Sequence, residues 1–355
     1  MGKNRREFLK ATGAGILGAG AATVLGAHDV LAARTKEPSG EPIKWKAQTL
    51  WSASELPHKT FEDFCAQIKI MTNGRLEVTP YAAGTIVPTF EGLDALQNNV
   101  LQALHTFPGY FAGKEPGFAA ISDLVAAYTH PWQKDAWMAY KGGLDLLNEM
   151  YKPYNAYTVG WMLWGIESLV SKKPIPNMEA FKGLKMRVPP GMTAALFQEL
   201  GASVVVLPGG EIYSALDKGV IDAADWATIS MNQRVGLYQV CKYTNYPGFH
   251  SMAIGDFTVN INEWNKLPDD IKQILKSGSR AWCWDTIERV AIADINVLPV
   301  LKKEGVTVET WTEEDLNKVR AAAVKSWDDY AKKSPMAKKI IDSQKAWLRE
   351  LKLLQ

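Results

Sequence analysis

The stretch "LKMRVPPGMTAALFQELGASVVVLPGGEIYSALDKGVIDAADWA" (184–227) decides the fold. "LKMRVPPG" (184–191) reads as a short strand stopped by a double proline, which has no N–H for a sheet ladder. "MTAALFQELG" (192–201) is a helix closed by glycine, and "ASVVVLP" (202–208) is a β-branched strand. "GEIYSALDKG" (210–219) is a second helix and "VIDAADWA" (220–227) a third strand. Strands alternating with helices predict an α/β fold with a mostly parallel sheet. The strands end at Arg187, Pro208 and Asp225–Trp226. Ligands of open α/β sheets sit beyond the carboxyl ends of strands, so these ends are where a site is expected.

The same rhythm occurs upstream. "KWKAQTLW" (44–51) is a strand, and residues 60–71 place Phe61, Phe64, Cys65, Ile68 and Met71 on one helical face. "LEVTPY" (76–81) is a strand, and "TFEGLDALQNN" (89–99) is a short helix with Phe90, Leu93 and Leu96 inward. A longer helix is expected over 131–151, starting at Pro131. Downstream, "LPDDIKQIL" (267–275) starts a helix whose pattern continues to Gly305, long enough to run along more than one lobe. Thr312 and Asp315 have capping-box spacing at the head of a last long helical region.

The chain opens with a basic head (Lys3, Arg5, Arg6, Lys10), an uncharged run over 11–27 and an Ala-rich exit. This is the pattern of an export signal, and the adjacent arginines in "RREFLK" resemble the twin-arginine type. The whole chain has 40 basic and 38 acidic residues. Residues 1–34 hold five of the basic and two of the acidic ones, so the remainder has 35 and 36, net −1. A near-neutral chain offers no electrostatic case for nucleic acid. Cys65, Cys241 and Cys283 are far apart, with no CxxC spacing, which argues against a structural zinc or iron–sulfur site and predicts three buried thiols. Thirteen tryptophans, with 12 Tyr and 11 Phe, suit a large core or an aromatic-lined pocket.

Catalytic constellations are missing. No GxGxxG follows a strand, "GAGILGAG" (13–20) lies in the signal, and no Walker loop, HExxH or GxSxG is present. The five histidines are scattered. Binding suits such a chain better than turnover. The competing class is a twin-arginine-exported, cofactor-dependent oxidoreductase, supported by the export signal alone.

Four stretches resemble the extracytoplasmic solute-binding subunits of TRAP transporters, the DctP-like family. They are "NGRLEVTPYAAGTIVPTFEGLDALQNN" (73–99), "FKGLKMRVPPG" (181–191), "LGASVVVLPGGEIYSALDKGVIDAADW" (200–226) and "KYTNYPGFH" (242–250). The likeness is greatest to the branch that binds 2-oxo acids and lactate-like monocarboxylates. It implies two α/β lobes joined by hinge strands and a long helix spanning both, with the ligand between them. It also implies a periplasmic location and membrane transporter subunits as partners. The organisation expected is an export signal over 1–34, a linker over 35–43, and a first lobe over 44–165 to which about 255–285 returns. A second lobe covers 166–254, and lobe-spanning and C-terminal helices cover 286–355. Some relatives are homodimers through a long C-terminal helix, and residues 312–348 are the candidates for one here.

The resemblance also suggests site residues. Arg187, on the "MRVP" strand, pairs with the ligand carboxylate, which a planar guanidinium fits bidentately. In that branch an acid–Trp pair, here Asp225 and the Trp226 backbone, helps hold a calcium or sodium ion. The acid that follows the "YPG" turn in the branch is replaced here by Phe249, His250 and Ser251, which puts a resident cation in question. His250 is then a pocket-lining donor, a metal ligand, a base, or a packed histidine. "VGWMLWGIESL" (159–169) brings Trp164 and Glu167, the latter facing either a ligand N–H or solvent. Trp51 and Tyr110 are candidate walls, with core packing the alternative for each aromatic.

Overall fold

In this computed structural model residues 40–354 are described, and the export signal expected over 1–34 lies outside them. The strands are β1 (Ile43–Thr49), β2 (Leu76–Tyr81), β3 (Ala103–Thr106), β4 (Ala156–Leu163), β5 (Ser168–Ser171), β6 (Lys185–Val188), β7 (Ser203–Val206), β8 (Ala223–Ala227), β9 (Tyr243–Asn245), β10 (Ile254–Asn260) and β11 (Thr307–Glu309). They form two sheets. The first lobe has the order β2-β1-β3-β10-β4 and the second β11-β9-β5-β8-β6-β7.

Each sheet has one reversed strand, β10 in the first and β5 in the second, among strands that otherwise share a direction. β1 runs parallel to β2 and β3, and β6 parallel to β7 and β8. β10 is antiparallel to both of its neighbours, and so is β5. The connectivity gives the reason. β4 leaves the first lobe at the cleft and continues as β5, and β9 leaves the second lobe there and continues as β10. A strand that enters a lobe from the cleft meets the carboxyl ends of the strands already there, so it must run against them.

Local chemistry explains the elements around this frame. In the helix Leu56–Met71, Pro57 stands in the first turn and Phe61, Phe64, Cys65 and Ile68 are buried, whereas Met71 is largely exposed. The expected single helix over 131–151 is two, Pro131–Tyr140 and Gly143–Tyr151. Gly142, at φ 88, makes a left-handed break between them. The cysteines are buried and free.

The helix Asp269–Lys303 is 35 residues long, about 52 Å at 1.5 Å per residue. Its first half lies on the first lobe, where Thr286 Oγ1 and Trp282 Nε1 both donate to Thr60 Oγ1 (3.0 and 3.2 Å). Its second half reaches the other lobe, where Asp294 accepts from the Thr228 hydroxyl (2.8 Å) and the Ser230 N–H (3.0 Å). Further on, Glu313–Ala331 packs on Met192–Glu199 and Pro335–Glu350 on Gly117–Ser122. Thr312 caps the former by accepting from the Asp315 N–H (3.2 Å). The apolar residues of both helices face inward in the same chain, and no large hydrophobic residue between 312 and 348 is highly exposed. The homodimer considered through these residues therefore has no uncovered apolar face there.

Candidate ligand-binding site

A cavity of about 370 Å³ of atom-free space, its mouth included, lies between the lobes. The first lobe contributes Leu50 and Trp51 after β1, Phe107 and Tyr110 after β3, and Asp123. Trp164 and Glu167 come from the crossing between β4 and β5, and Ser251 and Ala253 from the crossing back. The second lobe contributes Arg187 and Pro189 from β6 and Trp226 from β8. Most of these positions are carboxyl ends of strands, as open α/β sheets require.

Arg187 is the cationic side chain of this wall and is only 1% exposed. Its Nε donates to the Leu207 carbonyl (2.9 Å) and its Nη1 to the Asp225 carbonyl. Both bonds fix the plane of the guanidinium. The Trp226 ring lies against it, 5.5 Å from Cζ to the centroid. Trp226 fits because residue 209 is glycine: a Cβ there would come within 2.0 Å of the ring. Burial raises the Tyr110 pKa, and the nearby Arg187 pulls part of it back.

Carboxyl groups occupy the rest of the polar wall. Glu167 is 3% exposed, and its Oε1 accepts from Trp164 Nε1 at 2.8 Å. Burial holds its carboxyl well above the usual range, and the nearby Asp225 and Asp123 charges add to this. Asp123 Oδ1 accepts from the Met252 N–H (3.1 Å). Burial raises its pKa, while the Lys134 ammonium offsets part of the rise. Lys134 itself is fully buried, donates to the Ile121 carbonyl (2.8 Å) and Gln344 Oε1 (3.2 Å), and is pulled down by burial to about 7.

Asp225 and His250 stand directly behind this wall. The Asp225 carboxylate, 1% exposed, meets His250 Nε2 through Oδ1 at 2.8 Å. Burial raises its pKa, but His250, Glu167 and Arg187 outweigh that and hold it below the ordinary value. Asp225 Oδ2 and His250 Nδ1 are buried without a partner among the described residues.

The fold thus brings Arg187, Trp226, Ser251, Glu167, Trp164, Trp51 and Tyr110 to one cavity. His250 does not line it; its ring is fully buried, bonded to Asp225 and edge-on to Phe197 and Phe249. Phe249 points away, stacking on Trp311 at 4.2 Å and lining a separate hollow with Ile166 and Leu316. The tight crossing sets these directions, since a Cβ on Gly248 would lie 2.2 Å from the Glu167 carbonyl. Asp123, Phe107, Leu50, Pro189 and Ala253 escaped sequence reasoning. The one signal for Asp123 was a lone acid in the apolar run "AAISDLVAA" (119–127).

Residues 47–334 match the model of the bacterial extracellular solute-binding protein family 7, DctP. The monocarboxylate 2-oxoacid-binding periplasmic protein of Nostoc sp. is 30% identical over 320 residues, 87% of this chain and 85% of that protein. An apo, open TRAP periplasmic solute-binding protein from Rhodobacter sphaeroides is similar in structure (TM-score 0.72, 32% identity, 88% of this chain and 99% of that one). A TRAP solute-binding protein from Bordetella bronchiseptica, a dimer with calcium and picolinate in one site, superposes with TM-score 0.81 at 26% identity over 88% of this chain and 93% of that one.

The residues of this chain do not fit a resident calcium ion. Glu167, Asp225 and His250 place one ligating atom each within 4.8 Å of one another. Only part of this set is open, however: Trp164 engages Glu167 Oε1, His250 engages Asp225 Oδ1 and Arg187 engages the Asp225 carbonyl, which leaves Asp225 Oδ2 and His250 Nδ1 unpartnered among the described residues. Calcium takes about six to eight oxygen ligands, and sodium shares the preference for oxygen, whereas this corner presents an imidazole and a guanidinium. The expectation of a cation on Asp225 and the Trp226 backbone meets that obstacle, because Arg187 holds the intervening carbonyl.

With its fold, inter-lobe cavity and family match together, the chain belongs to the bacterial extracellular solute-binding protein family 7, as a periplasmic TRAP-type binding protein and not the exported oxidoreductase considered as the alternative.

Proposed function

We propose that this chain captures a small organic monocarboxylate in the inter-lobe cavity and delivers it to the membrane subunits of a TRAP transporter. The observation that carries the reading is Arg187. A guanidinium 1% exposed, fixed by two backbone carbonyls and covered by Trp226, is a pre-organised carboxylate receptor. A cation held there without a ligand anion is costly, so an anion entering the cavity gains a charge-assisted bidentate bond.

The aromatic wall of Trp51, Trp164, Tyr110 and Phe107 favours an acid with an apolar or planar body. This suits the 2-oxo, 2-hydroxy and aromatic acids as a class. The name of the Nostoc relative points the same way. Capture is a population shift: contacts made by one ligand to both lobes favour the closed form. Export by the twin-arginine route follows from "RREFLK" (5–10) alone.

Native mass spectrometry of gently purified protein tests the reading, followed by analysis of what denaturation releases. A retained small carboxylic acid is the expected result. A tightly bound redox cofactor would overturn it.

A further inference from the structure

The residues that line the cavity are all buried except Pro189 and Trp226, which belong to the second lobe. The Trp226 ring lies on the Arg187 guanidinium, and Pro189 follows Arg187 by two residues, so the mouth opens beside the cation. The deep side belongs to the first lobe and the crossing. There Trp51 and Trp164 meet edge to face, 5.6 Å between ring centroids and 80° between planes. Both rings are held from behind. The Trp51 ring lies 4.5 Å from that of His105, and β10 passes so close that a Cβ on Gly255 would come within 2.8 Å of Trp51 and 2.9 Å of His105. His105 is itself fixed, donating from Nδ1 to the Asp256 carbonyl (2.9 Å) and packing edge-on to Trp282 at 4.7 Å. Trp164 is tied by its N–H to Glu167 Oε1 (2.8 Å).

From this arrangement we propose that Trp51 and Trp164 form a fixed end wall that limits the length of the acid, and that Trp164 is the residue that sets the limit. The proposal rests on reading Arg187 as the carboxylate anchor. A carboxylate on Arg187 sits on the side of the mouth, so the tail of the acid runs inward onto the two indoles. The atom-free space of about 370 Å³, mouth included, is at the small end of the roughly 300–1,000 Å³ of small-molecule sites. At about 30 Å³ per water in the liquid it holds at most about twelve water-sized groups, and the mouth takes part of that. Close-packed side chains do not yield to an extra methylene without cost. Two rings at 80° also make a corner, which stops a chain end, where parallel rings would make a slot for a flat ring. The solute is therefore a short acid, about three to five carbons in all. Trp164 is the adjustable side of the corner, because it stands on the crossing, whereas Trp51 is wedged between His105 and Gly255 in the first lobe.

A homologous series of straight-chain 2-oxo acids provides the test: pyruvate, 2-oxobutanoate, 2-oxopentanoate, 2-oxohexanoate and 2-oxooctanoate. Titration calorimetry on the full-length mature protein and on Trp164→Leu and Trp164→Ala, with thermal unfolding to verify folding, gives the readout. In the parent protein each methylene that still fits should tighten binding by up to about fourfold, and the eight-carbon acid should bind at least about tenfold more weakly than the best member. Trp164→Leu should raise the affinity of the eight-carbon acid relative to pyruvate at least about tenfold, and Trp164→Ala should raise it further. That ratio does not move if the indole serves folding alone, since both acids then weaken together. The parent series tests the limit by itself should neither variant fold. The proposal is overturned if the eight-carbon acid binds the parent as tightly as the best shorter member, if the ratio in a folded variant equals that of the parent, or if no member of the series binds. Arg187→Ala separates this from failure of the anchor: loss of the members that bind keeps the anchor reading whatever the length profile, and unchanged binding removes the anchor itself.

Discussion

Trp226 Nε1 donates to Glu55 Oε1 at 3.2 Å, joining the end of β8 in the second lobe to the residue before the helix Leu56–Met71 in the first. Glu55 is held from its own side by the Ser52 N–H, which donates to Oε2 at 2.7 Å. Arg234 adds a parallel bond from the second lobe, donating to the Ser54 carbonyl at 3.3 Å. The ring that covers Arg187 is therefore also the bridge across the cleft, so ligand anchoring and lobe closure share one side chain.

Trp226→Phe removes this bridge while keeping a ring over Arg187. One such bond contributes about 1 kcal/mol, so the ligand off-rate should rise about fivefold in stopped-flow measurements. Glu55→Ala should do the same, and the double variant should add little to either single change. An off-rate equal to that of the parent protein in both variants would show that the bridge does not hold the closed form.

Metal removal should have little effect. With an imidazole and a guanidinium in place of an oxygen cage, and with Glu167 Oε1, Asp225 Oδ1 and the Asp225 carbonyl engaged, dialysis against EDTA should leave ligand affinity within about twofold in calorimetry. A large loss that calcium restores would contradict the account of this corner.

Asp256 should tune stability with pH. It is fully buried between β3 and β4, accepts from the Thr258 hydroxyl at 2.6 Å, and is pushed up by burial to about 7. The unfolded chain releases this proton near 3.8, so between that value and about 7 the folded form holds more protons. Its contribution is complete below that window and is lost as pH rises through it, by up to about 1.4 kcal/mol per pH unit. Asp256→Asn keeps a neutral side chain, so urea unfolding at pH 4 to 7 should show a flatter profile and a gain over the parent at pH 7. An unchanged slope would place the titration elsewhere.

Much of this architecture was legible because strand ends are local features. "MRVP" and "ADW" mark the carboxyl ends of β6 and β8, and these carry Arg187 and Trp226 to the cavity. The antiparallel course of β5 and β10 was not legible, because it follows from where the chain crosses between lobes and not from any residue pattern. Phe249 and His250 show the same limit at the scale of side chains. Both flank the crossing, but the close approach of Gly248 to Glu167 turns Phe249 to Trp311 and sets His250 behind Asp225. Asp123 sits among apolar residues that gave no hint of a cavity, and only the packing of Lys134 and Met252 around it marks it as a deliberate buried acid.

The most direct test of the central claim is titration calorimetry of the retained or screened acid against Arg187→Ala and Arg187→Lys. Lysine keeps the charge but loses the planar fork and the contact with Trp226. The account predicts at least about a tenfold loss for lysine and a larger loss for alanine, with both variants folded. Affinity unchanged in both would contradict the assignment of the cavity as a carboxylate site.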